Sequence, residues 1–389
     1  MTETPPFLDV CALSLNHHGE ELCGDQVRIL RTADRTIVVL SDGLGSGVKA
    51  NILARLTAEI IVTMIREAAS LEDVMETVLG TLPVCKVRKI AYATFLVVEI
   101  QHRSGAFRVV NFDSPEPFFL PKGRPTPLST RRQTVQGKDL LFSEGALAEG
   151  DFLGLASDGV LFAGMGGLLS FGWGREQIAA HLQTTLRLRA WTAQAAVSAV
   201  IEKTGGFYGP QVGDDATFVG ILARSANRLM VFTGPPLEKD ADERCARRLL
   251  AFGGRRAICG GTTARIVGDH TGEVVGTDIA TVREDVPPIG SLSDVDLVTE
   301  GILTLAGTLK LLHECGGNPR HLPEDRNGAV LLARELLRAD SIFFLAGSRV
   351  NPYYQNPLLP KSVSIRRSVL DQIVEALRGF HKEVAVEWC

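Results

Sequence analysis

Apolar positions recur along this chain with two periods, and the switch between them marks the elements. Residues 10–15 and 26–30 alternate as half-buried strands do. Val38-Val39-Leu40 is a continuous apolar run that ends on Ser41-Asp42-Gly43, which predicts a buried strand delivering an acidic residue to its end. Beyond that turn, Val48, Ile52, Leu56, Ile60 and Met64 recur every four residues. Leu53, Ile61 and Ile65 widen the stripe, and Lys49, Arg55, Glu59 and Arg66 take other positions. This spacing predicts a long helix with the apolar stripe buried. A second helix follows over 71–79, and strands over 93–100 and 107–112 form a hairpin across the 101–105 turn. The stretch 114–127, with Pro115, Pro117, Pro121, Pro125 and Pro127, reads as a loop carrying only short strands. A short apolar strand ends on Ser157-Asp158-Gly159, and the glycine-rich 164–174, with Trp173, reads as a flap. Helices over 175–188 and 190–204 precede Gly205-Gly206, and Asp214-Asp215 stands directly before a buried strand over 216–222.

The last third changes character. Strand-like runs at 229–233, 257–259 and 341–346 alternate with helical patterns at 238–252, 297–315, 328–339 and 368–380, and 384–388 ends the chain. Such alternation predicts an α/β layered domain with a mostly parallel sheet. A chain of 389 residues exceeds what one core normally serves. We therefore expect two domains, 1–224 and 225–389, joined by a segment too short for a long tether and so in contact. Ligands of parallel sheets collect beyond the carboxyl ends of the strands. Thr233-Gly234-Pro235, Gly260-Gly261-Thr262-Thr263 and Gly347-Ser348-Arg349 fit that location. Gly261, Thr262 and Thr263 can offer N–H and hydroxyl groups to an anion at a helix start. No Gly-Lys-Ser/Thr follows, so this is not a Walker loop, and tight turns required by the fold are the simpler account.

Composition narrows the partners. Hydrophobic residues at 45% and charged residues at 22% are ordinary for a globular chain. The net charge of −4 gives no electrostatic reason to expect nucleic acid or an anionic membrane. Seven cysteines without a Cys-x-x-Cys pair fit reduced thiols better than a disulfide framework or a zinc site. No signal-peptide pattern opens the chain and no apolar stretch approaches the ~18 residues of a span, so a soluble cytoplasmic protein is expected.

The candidate chemistry is acidic. Asp25, Asp42, Asp158 and Asp214, with Asp215 adjacent, each lie at a strand edge with glycine close by. Gathered together, such carboxylates repel and raise one another's pKa. A pair of divalent cations resolves the repulsion, and an oxygen-only donor set favours Mg2+ or Mn2+ over zinc or copper. Two ions about 3.5–4 Å apart can hold a hydroxide that attacks a phosphate in line. Plainer roles stay open: Asp42 as a helix cap, Asp25 as a turn former. His17 and His18 point apart as chain neighbours, and a solvated loop accounts for them.

In order, Gly24-Asp25, Ser41-Asp42-Gly43-Leu44-Gly45-Ser46-Gly47 with Lys49-Ala50, Ala156-Ser157-Asp158-Gly159-Val160 and Asp214-Asp215-Ala216-Thr217 resemble the SpoIIE-type branch of the PPM (type 2C) protein phosphatases, over about residues 8–224. The resemblance implies an α+β fold, an α-β-β-α sandwich; the smaller α/β domain lies beyond the residues it covers. It implies hydrolysis of phosphoserine or phosphothreonine by a hydroxide held at two Mn2+ or Mg2+ ions. By position, Asp42 bridges both ions, the Gly43 carbonyl ligates one, Asp158 and Asp214 complete one shell and Asp25 serves the second. Leu44 stands where eukaryotic relatives carry a histidine proposed as general acid, and no clear equivalent of their phosphate-gripping arginine is found near the N-terminus. The implied partner is a phosphorylated protein, in that branch commonly a STAS-fold anti-sigma-factor antagonist in a partner-switching circuit. The helices after Asp42 act as a switch in some members, and a homodimer is compatible with the pattern. The rival from another class is a non-catalytic signalling module that binds a phosphoprotein or a small anionic ligand.

Overall fold

In the computed structural model, which describes residues 6–81, 93–188, 192–278, 289–349, 365–380 and 382–389, the chain divides into two compact units, Met1–Ser225 and Ala226–Cys389. The first opens with β1 (Phe7–Leu15), β2 (Asp25–Arg31) and β3 (Arg35–Gly43), then α1 (Gly47–Arg66) and α2 (Leu71–Thr81). Next come β4 (Ala93–Gln101), β5 (Ala106–Phe112), the short β6 (Phe118–Leu120), and the hairpin β7 (Thr130–Val135) and β8 (Lys138–Ala146). The unit closes with β9 (Phe152–Ala156), α3 (Asp158–Leu161), α4 (Arg175–Leu188), α5 (Ala193–Tyr208) and β10 (Ala216–Arg224).

Two antiparallel sheets result, of order β2-β3-β4-β5-β8-β7 and β1-β10-β9-β6. Strand alternation sends Val38, Leu40, Leu96 and Val98 toward Leu153, Leu155, Val219 and Ile221 in one buried layer between the sheets. Ile37, Val39, Phe95 and Val97, on the opposite pleat, pack under α1 and α2. Phe152, Ala156 and Phe218 pack under α4 and α5. Helices thus cover both outer faces, the expected α-β-β-α sandwich.

The helix after Asp42 forms where periodicity predicts it but presents another face. Val48, Ile52 and Leu56 are 58%, 57% and 53% exposed, while Ala50, Ala54 and Ala58 are wholly buried and Ile61, Val62 and Ile65 nearly so. Closeness is the cause: a Cβ on Gly43 would overlap the Ala50 carbonyl, so the first half of α1 lies against the sheet through small residues. Large apolar side chains are buried on that face only from Ile61 onward. A second difference concerns Gly205-Gly206, which does not end α5; the helix runs on to Tyr208, with Gly205 seated against Leu15.

The second unit comprises β11 (Arg228–Thr233), α6 (Ala241–Leu250), β12 (Arg255–Cys259), α7 (Gly261–Thr271), β13 (Gly276–Asp278), β14 (Ile289–Ser291), β15 (Leu297–Thr299), α8 (Ile302–Cys315), α9 (Gly328–Arg338), β16 (Ser341–Ala346), α10 (Ile365–Gly379) and β17 (Glu383–Trp388). Its sheet has the order β13-β14-β15-β12-β11-β16-β17, parallel from β15 to β17 with an antiparallel edge at β13 and β14. Apolar clusters lie on both faces, one under α6 and α7 and the other under α8, α9 and α10. Residues 297–299, read as the start of a helix, are instead β15: Leu297 and Val298 are buried beside β12, and the helix begins only after Gly301.

Candidate metal centre

Asp25 opens β2 and Asp42 all but closes β3, and the two are cross-strand partners. Asp158 is the first residue of α3, one residue beyond the end of β9. Asp214 and Asp215 lead into β10, the antiparallel neighbour of β9. Two acidic residues therefore come from one sheet and three from the strand ends of the other. The ends of β9 and β10 are locked together, since Ser157 N–H donates to the Thr217 carbonyl at 2.9 Å and Thr217 N–H to the Ser157 hydroxyl at 2.8 Å. The two sheet ends meet at Gly24, where a Cβ would come within 2.7 Å of Asp215 Oδ2. Gly43 N–H donates to the Gly24 carbonyl at 3.3 Å and draws the two acidic turns of the first sheet together. Asp42 does not cap α1; Ser46 holds the N-cap position.

Crowding of like charge follows. Burial, then repulsion from Asp25, Asp158 and Asp214, pushes the Asp42 carboxyl up to about 9. Asp158 is also raised by burial, partly offset by a proton that Asp42 shares toward it. Asp214 is pushed up to about 6 by burial and by Asp158. Asp25 rises to about 7 through burial, with Ser157 and Thr217 easing its charge and Asp215 and Asp158 adding to the rise. The easing is slight by hydrogen-bond geometry: neither Asp25 oxygen accepts a bond, and the Thr217 hydroxyl is committed to Ser14 at 2.7 Å. Asp215 Oδ2 is likewise buried without a partner.

Buried carboxylate oxygens without donors are what a hard cation satisfies, and the donor set is all oxygen. Among the described residues, however, no three His, Cys, Asp or Glu side chains form a ready-made shell. The fit to divalent cations rests on donor chemistry and on the unpaired oxygens of Asp25 and Asp215. Asp25, Asp42, Gly43, Asp158 and Asp214 converge there; Gly261, Thr262 and Thr263 lie in the other unit, as the first three residues of α7.

Three neighbours of the acidic site escape the sequence reading. His17 N–H donates to Asp215 Oδ1 at 2.9 Å, and its Nδ1 is buried without a partner, so it is no solvated loop residue. Glu20 reaches over Gly47, whose φ of 68° and lack of a side chain leave room for the carboxylate. Tyr208 donates to the Gly159 carbonyl at 2.7 Å, and burial together with Asp214, Asp158 and Asp25 pushes its phenol far up. A doubled histidine just before Gly24-Asp25 was a usable sign for His17. Nothing local marks Tyr208, because the glycine pair before it resembles a helix end.

Residues 32–223 match the model of the family described as SpoIIE, stage II sporulation protein E, and they form a SpoIIE-family domain with the PP2C phosphatase fold. One similar solved structure is the PP2C phosphatase domain of SpoIIE from Bacillus subtilis with a fragment of its regulatory domain. It is 16% identical, with a TM-score of 0.50, over 57% of this chain and 65% of that one, less than two thirds of its length. Another is the RsbU and RsbW domains of Rv1364c from Mycobacterium tuberculosis, 18% identical over 63% of this chain and 68% of that one, with a TM-score of 0.48. At 16% identity the likeness to the first of these is one of fold. No curated protein matches the sequence. Among the described residues no helix is long and apolar enough to cross a membrane.

Proposed function

We propose that residues 1–224 are a metal-dependent phosphoprotein phosphatase that hydrolyses phosphoserine or phosphothreonine esters, and that 225–389 is a separate α/β domain. The observation that carries this reading is the convergence of Asp25, Asp42, Asp158 and Asp214 from two sheets on one crowded site, where both Asp25 oxygens are buried without a donor. Those four side chains and the Gly43 carbonyl would hold two Mn2+ or Mg2+ ions. When bound, such ions neutralise the carboxylates, polarise a phosphate ester and make water nucleophilic at neutral pH.

The chain's own residues supply placement. Asp42 on one sheet and Asp158 and Asp214 on the other set the two sides of the site, and the Ser157–Thr217 pair of bonds fixes the second side. His17 N–H holds Asp215 in place behind it. Leu44 offers no proton, and the Tyr208 hydroxyl is committed to the Gly159 carbonyl. The leaving oxygen therefore takes its proton from solvent or from the substrate's own surroundings. A phosphorylated protein is the partner, with STAS-fold antagonists of anti-sigma factors in bacterial partner switching the first class to test.

The test is hydrolysis of p-nitrophenyl phosphate with and without Mn2+, beside Asp42→Asn. Turnover that needs both the ion and Asp42 is expected; turnover independent of either overturns the assignment. The rival, a non-catalytic phosphoprotein-binding module, draws on the lack of a ready-made three-residue shell among the described residues. It predicts phosphoprotein binding with no turnover at any Mn2+ concentration.

A further inference from the structure

The Ala226–Cys389 unit holds a second group of unpartnered polar atoms. Thr233 pairs with Cys259 on one side and Ala346 on the other, and Cys259 pairs with Thr299, so four parallel strands end level. In chain order the parallel strands run third, second, first, fourth, fifth across the sheet, and the direction of winding reverses between β11 and β16. Ligands of such sheets gather beyond the carboxyl ends near a reversal of this kind, and here the loops after β11 and β16 stay paired, Arg349 N–H donating to the Pro235 carbonyl at 3.2 Å.

Polar groups without partners gather at these strand ends. Thr233 and Thr263 are both 0% exposed, and neither hydroxyl has a partner. The Thr263 hydroxyl lies 3.2 Å from where a Cβ would stand on Gly260, the N-cap residue, so it turns back over the start of α7. An 11-residue helix presents free N–H groups and a partial positive charge there. Arg366, in the first turn of α10, lies over Gly234 and donates from Nη1 to the Gly347 and Arg349 carbonyls at 3.2 and 3.4 Å. Its Nε is buried without an acceptor. Burial lowers its pKa, yet a guanidinium stays charged.

Two further groups limit what is bound. The Cys259 thiol is buried, pushed up to about 12, and donates to the Glu300 carbonyl at 3.0 Å, so the place binds and has no nucleophile in it. Glu300 Oε1 lies 3.6 Å from the Cβ position of Gly261, and Oε2 accepts from Gly301 N–H at 3.4 Å. A carboxylate beside the helix start disfavours a bare anion on that side and accepts hydrogen bonds from hydroxyls.

From these placements we propose that this unit binds a small phosphate ester bearing hydroxyl groups, its phosphate met by the α7 N-terminus, Thr233, Thr263 and Arg366, and its hydroxyls by Glu300. The nucleoside monophosphates and sugar phosphates share this chemistry. This place lies wholly outside the acidic site and does not depend on the phosphatase reading.

Calorimetric titration of the full chain in EDTA with AMP, ribose 5-phosphate and inorganic phosphate tests it. At least one ester is expected to bind one per chain and more tightly than inorganic phosphate. Thr263→Val and Arg366→Gln should each weaken it about tenfold, the loss of a charge-assisted or buried hydrogen bond, while Thr263→Ser retains it. AMP against ribose 5-phosphate tells whether a base contributes. Should a variant fail to fold, hydrogen exchange on the unaltered chain decides, with protection expected at 233–235 and 260–264. No saturable binding of either ester, inorganic phosphate binding as tightly as both, equal affinity in the folded Val and Gln variants, or protection confined to other segments overturns the proposal.

Discussion

One place in each unit leaves buried polar atoms unsatisfied. At the acidic site Asp25 and Asp215 keep carboxylate oxygens with no donor; at the strand ends of the second unit Arg366 keeps a donor with no acceptor, and Thr233 and Thr263 keep hydroxyls with no partner. A buried polar atom without a partner destabilises the fold by about 1–3 kcal/mol. A chain that keeps several of one sign in one place is arranged for something of the other sign. The contrast therefore points to a cation in one unit and an anion in the other, and each side of it can be broken separately.

The largest effect is expected from Asp42→Asn, which should lower Mn2+-dependent turnover about a thousandfold and, in EDTA, raise the melting temperature because one crowded acid is gone. A variant that loses activity and also melts lower in EDTA would mean that like-charge crowding is not what strains the site. Next is Ile61→Ala, on the half of α1 that is buried, for which denaturant titration should show a loss of about 2–5 kcal/mol. Gly43→Ala should follow at about 1–3 kcal/mol, since its Cβ would overlap the Ala50 carbonyl. If Gly43→Ala proves neutral, the close approach of α1 to the acidic turn is wrong.

Of unusual sign is the pH dependence. Asp214, Asp25 and Asp42 have native values near 6, 7 and 9, above the ~3.9 of an unfolded aspartate. The native state thus keeps protons that the unfolded chain has released. Their contribution is fully present below about pH 4 and is lost as pH rises from 4 toward 9. Melting in EDTA should show the first unit weakening over that window, and Mn2+ should restore it most at the alkaline end. A flat profile, or no response to Mn2+, would undo the acidic half of the comparison. The smallest effect is Leu56→Ala, expected within about 0.5 kcal/mol because the side chain faces outward; a loss above 2 kcal/mol would mean that α1 presents its large apolar stripe inward after all.

Much of this was legible before folding. Ser-Asp-Gly after an apolar run is a local arrangement, and both copies stand where the pattern placed them, at the ends of β3 and β9. Alternating runs in the last third predicted the layered parallel sheet, because a strand and a helix differ in period wherever they occur. The facing of α1 was not legible. Counting apolar residues favoured Val48, Ile52 and Leu56, whereas the tight passage past Gly43 selected Ala50, Ala54 and Ala58. Nor was β15, three residues long, separable from the helix behind it.

From order and residue type alone follow the motifs, their chemistry and the kind of layer each run can join, since these depend on a few adjacent residues. Which acids share a site, that His17 and Tyr208 stand beside them, and that Thr233, Thr263 and Arg366 gather at one end of a sheet emerge only once the chain is folded. Coulomb repulsion, desolvation and steric fit depend on separation through space, and separation along the chain does not contain it.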